Sequence, residues 1–163
     1  MLHVIFLCTG NTCRSPMAKA IYGEISEKYH IKSIFSSAAL GFCFNQSVSP
    51  NAVTVCNEIG LDISHHQPRI LREHDIDITD IFVVMTQSHA EALLNIGVPK
   101  SKIYILAGGI PDPYGADLVT YRHCRNKIAE GVDELCRIIR KRLDNGTLKD
   151  DKNEPYYNNA NEA

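Results

Sequence analysis

The chain has 163 residues, a hydrophobic fraction of 44% and a formal net charge of −2. That length suits one compact domain with a proper core. The near-neutral charge supplies no basic field for nucleic acid, and no apolar run approaches the roughly 20 residues that span a membrane. The first apolar stretch, residues 4–7, is too short for a signal peptide and no cationic leader precedes it, so the cytoplasm is the expected compartment.

The elements follow in chain order. Residues 2–7 (LHVIFL) read as a buried strand. A turn-like Thr9-Gly10-Asn11-Thr12 comes next, and Ser15-Pro16 reads as an N-cap and first helical position, opening a helix over residues 16–29. Residues 33–38 are a second strand, and residues 39–48 a loop carrying Phe42 and Phe44. Ser49-Pro50 repeats the helix-start signal, with Gly60 as the stop. A strand over 81–85 precedes a helix over 88–96, and 102–106 is the last strand. After a turn-rich loop over 108–116, Leu118, Tyr121, Cys124, Ile128, Val132, Leu135 and Ile139 mark a long amphipathic helix. Gly131 interrupts it, at a cost of roughly 1 kcal/mol relative to alanine. Strands alternating with helices predict parallel β-α-β units in one doubly wound α/β domain over 1–145. Residues 146–163, polar and rich in Asn and Asp, are expected to be a flexible tail.

Six cysteines stand at 8, 13, 43, 56, 124 and 136. Two fall on apolar stripes of predicted helices, and neither a C-x-x-C pair nor zinc-ligand spacing occurs. Buried thiols and one reactive thiol are therefore expected, with no disulfide framework, no metal and no cofactor.

The candidate site is the segment Cys8-Thr9-Gly10-Asn11-Thr12-Cys13-Arg14-Ser15, between the first strand and its helix. A loop at that place can turn its backbone N–H groups inward, and the helix N-terminus adds a field that favours an anion. Ligands of doubly wound sheets bind at such strand ends. Gly10 permits a close backbone approach, and the planar fork of Arg14 grips two phosphate oxygens. The same field favours a thiolate at Cys8, the form that attacks phosphorus. Ser15 is placed to hydrogen-bond the sulfur. Asp112, in the turn-rich loop, is the candidate general acid, later the base that activates water. The Cys-x5-Arg spacing alone fits a structural cysteine and a surface arginine equally well; the strand before it, the Gly and Asn within it and the helix start after it favour the phosphate-binding reading.

Cys8 to Met17 reads CTGNTCRSPM, Asp112-Pro113-Tyr114 stands in the later loop, and Ser37-Ala38-Ala39 and Ser64-His65-His66 with Arg69 lie between. On these motifs the chain resembles the low-molecular-weight protein-tyrosine phosphatases over residues 2–143. The resemblance implies a four-stranded parallel sheet flanked by helices on both faces and a metal-free, two-step phosphatase mechanism. It implies Cys8 as nucleophile, Arg14 as phosphate ligand and Asp112 as general acid. Thr9, Gly10, Asn11, Thr12, Cys13 and Ser15 complete the phosphate loop, and Asn11, Ser15, Ser37 and His66 shape it, with His65 an alternative to His66. Cys13 resembles a second loop cysteine that pairs reversibly with the nucleophile on oxidation. Thr12, Phe42, Phe44 and Tyr114 are placed at the substrate pocket; core packing or a partner contact is the other reading of the two phenylalanines.

Two departures stand out. Lys19 replaces a frequent acidic residue, at a helix position expected to be exposed and tolerant. Thr12 stands where tyrosine-specific members often carry an aliphatic residue, and where the family's bacterial protein-arginine phosphatases carry threonine. Gly115 after Tyr114 also resembles that subgroup. The expected substrate is phosphotyrosine in proteins, with phosphoarginine as the alternative if Thr12 is a selector rather than a neutral variant. Arsenate reduction would need two further cysteines, absent from residues 82–89. A non-catalytic phosphate-binding module would need neither a thiolate nor a proton donor. The expected partner is a phosphorylated protein, and the expected state a monomer.

Overall fold

A computed structural model describes residues 1–43 and 46–150. The strands are β1 (Leu2–Cys8), β2 (Ser33–Ala39), β3 (Ile81–Val84) and β4 (Ile103–Ile105), all parallel, in the order β2-β1-β3-β4. The helices are α1 (Arg14–Lys28), α2 (Pro50–Asn57), α3 (Glu73–Ile78), α4 (Gln87–Asn95), α5 (Leu118–Asp144) and the short α6 (Thr147–Asp150). Residues 147–150 of the expected tail are thus helical, and residues 151–163 lie outside the described residues.

The alternation along β1 sorts the core into two layers. Val4, Phe6 and Cys8 face α1 and α5, where Met17, Ile21, Tyr22, Ile128, Val132 and Leu135 are buried. Ile5 and Leu7 point the other way and join Phe82, Val84, Ala90 and Leu93 beneath α4. A strand apolar on both faces is what a sheet covered on both sides requires. The chain leaves β1 toward β2 and later returns to β3 on the other side of β1. The loop after Cys8 therefore sits at the topological switch point.

Several expectations shift. Helix α1 begins at Arg14 with Cys13 as N-cap, not at Ser15-Pro16. Ser15 is buried, its hydroxyl committed to other side chains. The last strand is only Ile103–Ile105, because 3-10 turns at Lys100–Lys102 and Leu106–Gly108 take its ends. Lys19 is half-buried rather than exposed. Helix α3 buries no residue; Asp75 fixes it by accepting from the Arg72 N–H at 2.8 Å and pairing with Arg69 at 2.7 Å. No described helix is long and apolar enough to cross a membrane.

Gly131 has a packing reason. A Cβ there would lie 2.9 Å from Ala107 Cβ and 3.1 Å from the Ala107 nitrogen. The bare helix surface lets the turn after β4 press against α5, and that turn leads into the Asp112 loop.

Candidate active site

Cys8 ends β1, and residues 9–13 curl back to α1. Asn11 takes a left-handed conformation (φ 56°), which Asn tolerates better than most side chains. Its fully buried side chain ties the curl together. Nδ2 donates to Ser15 Oγ at 2.8 Å and to Ser37 Oγ at 3.0 Å, and Oδ1 accepts from the Arg69 N–H at 3.1 Å. His66 Nε2 donates to the Asn11 carbonyl at 2.9 Å, with Asn11 Oδ1 at 3.2 Å. Burial lowers the proton affinity of His66, and the charges of Lys19 and Arg69 add to it. Because Ser15 Oγ accepts from Asn11, its own O–H is left for Cys8 Sγ, 3.0 Å away. The structure thus brings together Asn11, Ser15, Ser37 and His66, and it selects His66 over His65.

Arg14, the first residue of α1, is 3% exposed and lines, with Cys8, one small cavity. NH1 donates to the Ile110 carbonyl at 3.0 Å, and NH2 lies 3.5 Å from Asp112 Oδ2. Its Nε–H is buried with no partner among the described residues. An orphaned buried donor costs about 1–3 kcal/mol, which an entering oxyanion would recover. Asp112 is more exposed; its Oδ1 accepts from the Tyr114 N–H at 3.1 Å, and the Cys13 thiol donates to it at 3.8 Å. Burial pushes Cys13 up to about 12, and the charges of Cys8 and Asp112 act the same way, so it stays a thiol at neutral pH.

These groups line a cavity of about 190 Å³ bounded by Cys8, Thr9, Gly10, Thr12, Cys13, Arg14, Phe42, Gln46, Asp112 and Tyr114. Of the residues expected at the substrate pocket, Thr12, Phe42 and Tyr114 line this cavity, and Phe44 lies outside the described residues. Two contributors were missed. Gln46 forms part of the wall, and its Oε1 would lie 3.4 Å from a Cβ on Gly10. His89 sits behind the loop, its Nε2 hydrogen-bonded to the Thr9 hydroxyl at 2.9 Å. Burial, reinforced by the Arg14 charge, lowers His89 to about 4 and keeps it neutral. A contact across such sequence separation leaves no trace in local pattern, although Thr86 three residues earlier signals the helix start that carries His89. Among the described residues no group of His, Cys, Asp and Glu has the arrangement of a metal site.

A cysteine, an arginine and a carboxylate around an anion-sized pocket, at the switch point of a parallel sheet, define a cysteine-dependent phosphatase. The family model for the low molecular weight phosphotyrosine protein phosphatase matches residues 3–145, and the chain belongs to that family. A protein-arginine-phosphatase of Bacillus subtilis is 28% identical over 86% of this chain and 98% of its own. The protein-tyrosine-phosphatase PtpB of Staphylococcus haemolyticus is 32% identical over 82% and 97%, and an arsenate reductase of Bacillus cereus 30% over 79% and 90%. Among solved structures, a low molecular weight protein tyrosine phosphatase from T. tengcongensis matches with a TM-score of 0.77 at 33% identity, over 85% of this chain and 99% of its own.

Proposed function

We propose that the protein removes phosphoryl groups from protein side chains through a cysteinyl-phosphate, with Cys8 as nucleophile, Arg14 as phosphate clamp and Asp112 as general acid. The observation that carries this is the convergence of Cys8 and Arg14, from one loop, with Asp112, about 100 residues away in sequence, on one small cavity. The Cys8 thiolate forms the P–S bond as the bond from phosphorus to the leaving atom breaks, and Asp112 protonates that atom. Water then attacks phosphorus and gives its proton to Asp112. The Ser15 O–H eases the departure of the sulfur. Throughout, the guanidinium of Arg14 neutralises the equatorial oxygens.

For the side chain that bears the phosphate, we propose phosphoarginine. Phe42 and Tyr114 offer aromatic faces at the mouth, which suit a phenyl ring or a guanidinium alike. Thr12 and Gln46 break that tie. Thr12 Oγ1 and Gln46 Oε1 would lie 3.7 and 3.4 Å from a Cβ on Gly10, so both oxygens flank the same spot on the loop. A guanidinium has N–H donors for them, and a phenyl ring has none. The likeness to the Bacillus subtilis arginine phosphatase points the same way. Phosphotyrosine is the second reading, favoured by the paired aromatic rings and by the Staphylococcus relative.

Arsenate reduction fits less well. It needs thiols that pass a disulfide onward, but burial pushes Cys56 and Cys124 up to about 11 and Cys136 to about 12, away from the nucleophilic thiolate. The test compares phosphoarginine and phosphotyrosine peptides on wild type and Thr12→Ile. Thr12→Ile should shift the ratio of kcat/KM toward phosphotyrosine by at least about tenfold; an unchanged ratio would remove Thr12 as selector. Retained turnover of an aryl phosphate by Cys8→Ser would end the mechanistic proposal itself.

A further inference from the structure

A second, larger cavity of about 650 Å³ opens from the phosphate pocket, and the two share Thr12, Gln46 and Tyr114 as common walls. One side is the start of α2 and the residues before it; the other is the acid loop from Tyr114 to Ala116. None of the described residues lining it carries a charge. The volume lies within the range of ligand-binding clefts, about 300–1,000 Å³, and is well beyond what a phosphate needs.

The walls are pinned by the protein's own hydrogen bonds. The Ser49 N–H donates to the Thr12 carbonyl at 2.8 Å, which fixes α2 to the phosphate loop. Ser49 Oγ donates to the Tyr121 hydroxyl at 3.0 Å, and Asn51 Nδ2 to the Ala116 carbonyl at 3.2 Å, which joins the two sides. Polar capacity remains above these ties. The Gln46 and Ser47 side chains have no hydrogen-bond partner among the described residues, and the Asn51 amide keeps its acceptor.

We infer that this groove is a subsite for the main chain of the substrate protein beside the phosphorylated residue. Extended peptide carries an N–H and a C=O at every residue and no net charge. Uncharged side chains able to both donate and accept match that pattern, whereas a charged consensus would need charged walls. A groove already shaped also limits the ordering cost of binding. The subsite therefore selects for polypeptide over free phosphoamino acid, with little preference for flanking charge. The inference rests on the phosphatase reading above but not on which side chain carries the phosphate.

The test measures kcat/KM by phosphate release on three probes: p-nitrophenyl phosphate, the free phosphoamino acid, and a nonapeptide of Gly, Ser and Ala with the phosphorylated residue at its centre. Phosphoarginine and phosphotyrosine versions are each compared with their own free amino acid. Wild type should favour the peptide by at least about tenfold, and raising the salt concentration should leave that gain in place. Ser47→Trp, which sets an indole in the groove, should abolish the gain, while turnover of p-nitrophenyl phosphate stays within about twofold. Asn51→Ala should reduce the gain in part. Equal rates on free and peptide substrates, a gain that vanishes with salt, or a gain that survives in Ser47→Trp would each overturn the inference. Failure of the phosphatase reading would look different: no dependence of p-nitrophenyl phosphate turnover on Cys8.

Discussion

Replacing Gly131 by alanine sets two opposed effects against each other. In an exposed helix interior the change favours folding by about 1 kcal/mol, through helix propensity alone. Here the new methyl would meet Ala107 Cβ at 2.9 Å, Leu106 Cγ at 3.0 Å and the Ala107 nitrogen at 3.1 Å. Carbon pairs prefer about 3.5–4.0 Å, so something must move. The facing turn is poorly able to yield. Gly109 donates to the Leu106 carbonyl at 2.9 Å and Ile110 to the Met85 carbonyl at 2.6 Å. Ala107 itself already holds a left-handed conformation (φ 50°) that an L side chain adopts reluctantly. Overpacking of this kind costs about 1–3 kcal/mol, which outweighs the propensity gain. A net loss of about 1 kcal/mol is expected in urea unfolding. Turnover should fall as well, because displacing residues 106–110 moves the Ile110 carbonyl that holds Arg14 at 3.0 Å. A Gly131→Ala protein more stable than wild type, with full activity, would refute the reasoning, since it would mean the turn relaxes freely.

Asp112→Asn should lower kcat by about 10²–10⁴-fold on substrates with a poor leaving group, with inorganic phosphate still binding as measured by competitive inhibition. Ser37→Ala removes an acceptor from the buried Asn11 amide and should cost about 1–3 kcal/mol in chemical denaturation. His89 should make the fold sensitive to acid. Its folded value is about 4 against an ordinary 6.5. Between those values the unfolded chain takes up a proton that the folded chain refuses, so stability falls as pH drops through that window. The loss reaches about 3 kcal/mol near pH 4, and His89→Gln, measured by urea unfolding at several pH values, should flatten the curve there.

The strands and the loop were legible because they are written locally. A both-faces-apolar run such as residues 2–7 has few alternatives to a central strand, and a Cys-to-Arg loop followed by a helix start has a recognisable chemistry. Asp112 was legible through its turn-forming neighbours. Helix α3 was not, because it buries no residue and its order comes from Asp75 pairing with Arg69 and Arg72 rather than from an apolar stripe. The Ser15-Pro16 signal misplaced the start of α1 because the same serine hydroxyl is drawn into the Cys8 and Asn11 bonds instead of a cap. Gly131 looked like a weakness in α5 until the turn against it supplied the reason. Gln46 and His89 reach the site only through the folding of the sheet.

The bonds that shape the residues around Asn11 are all made within the protein, to Ser15, Ser37, His66 and Arg69. A cradle tied together by the protein's own side chains needs no contact from its guest to hold its shape. Orthophosphate, the product, satisfies the same donors as the phosphoryl group of a substrate. On the proposed chemistry, orthophosphate therefore competes with substrate for the cradle, and raising it should slow turnover.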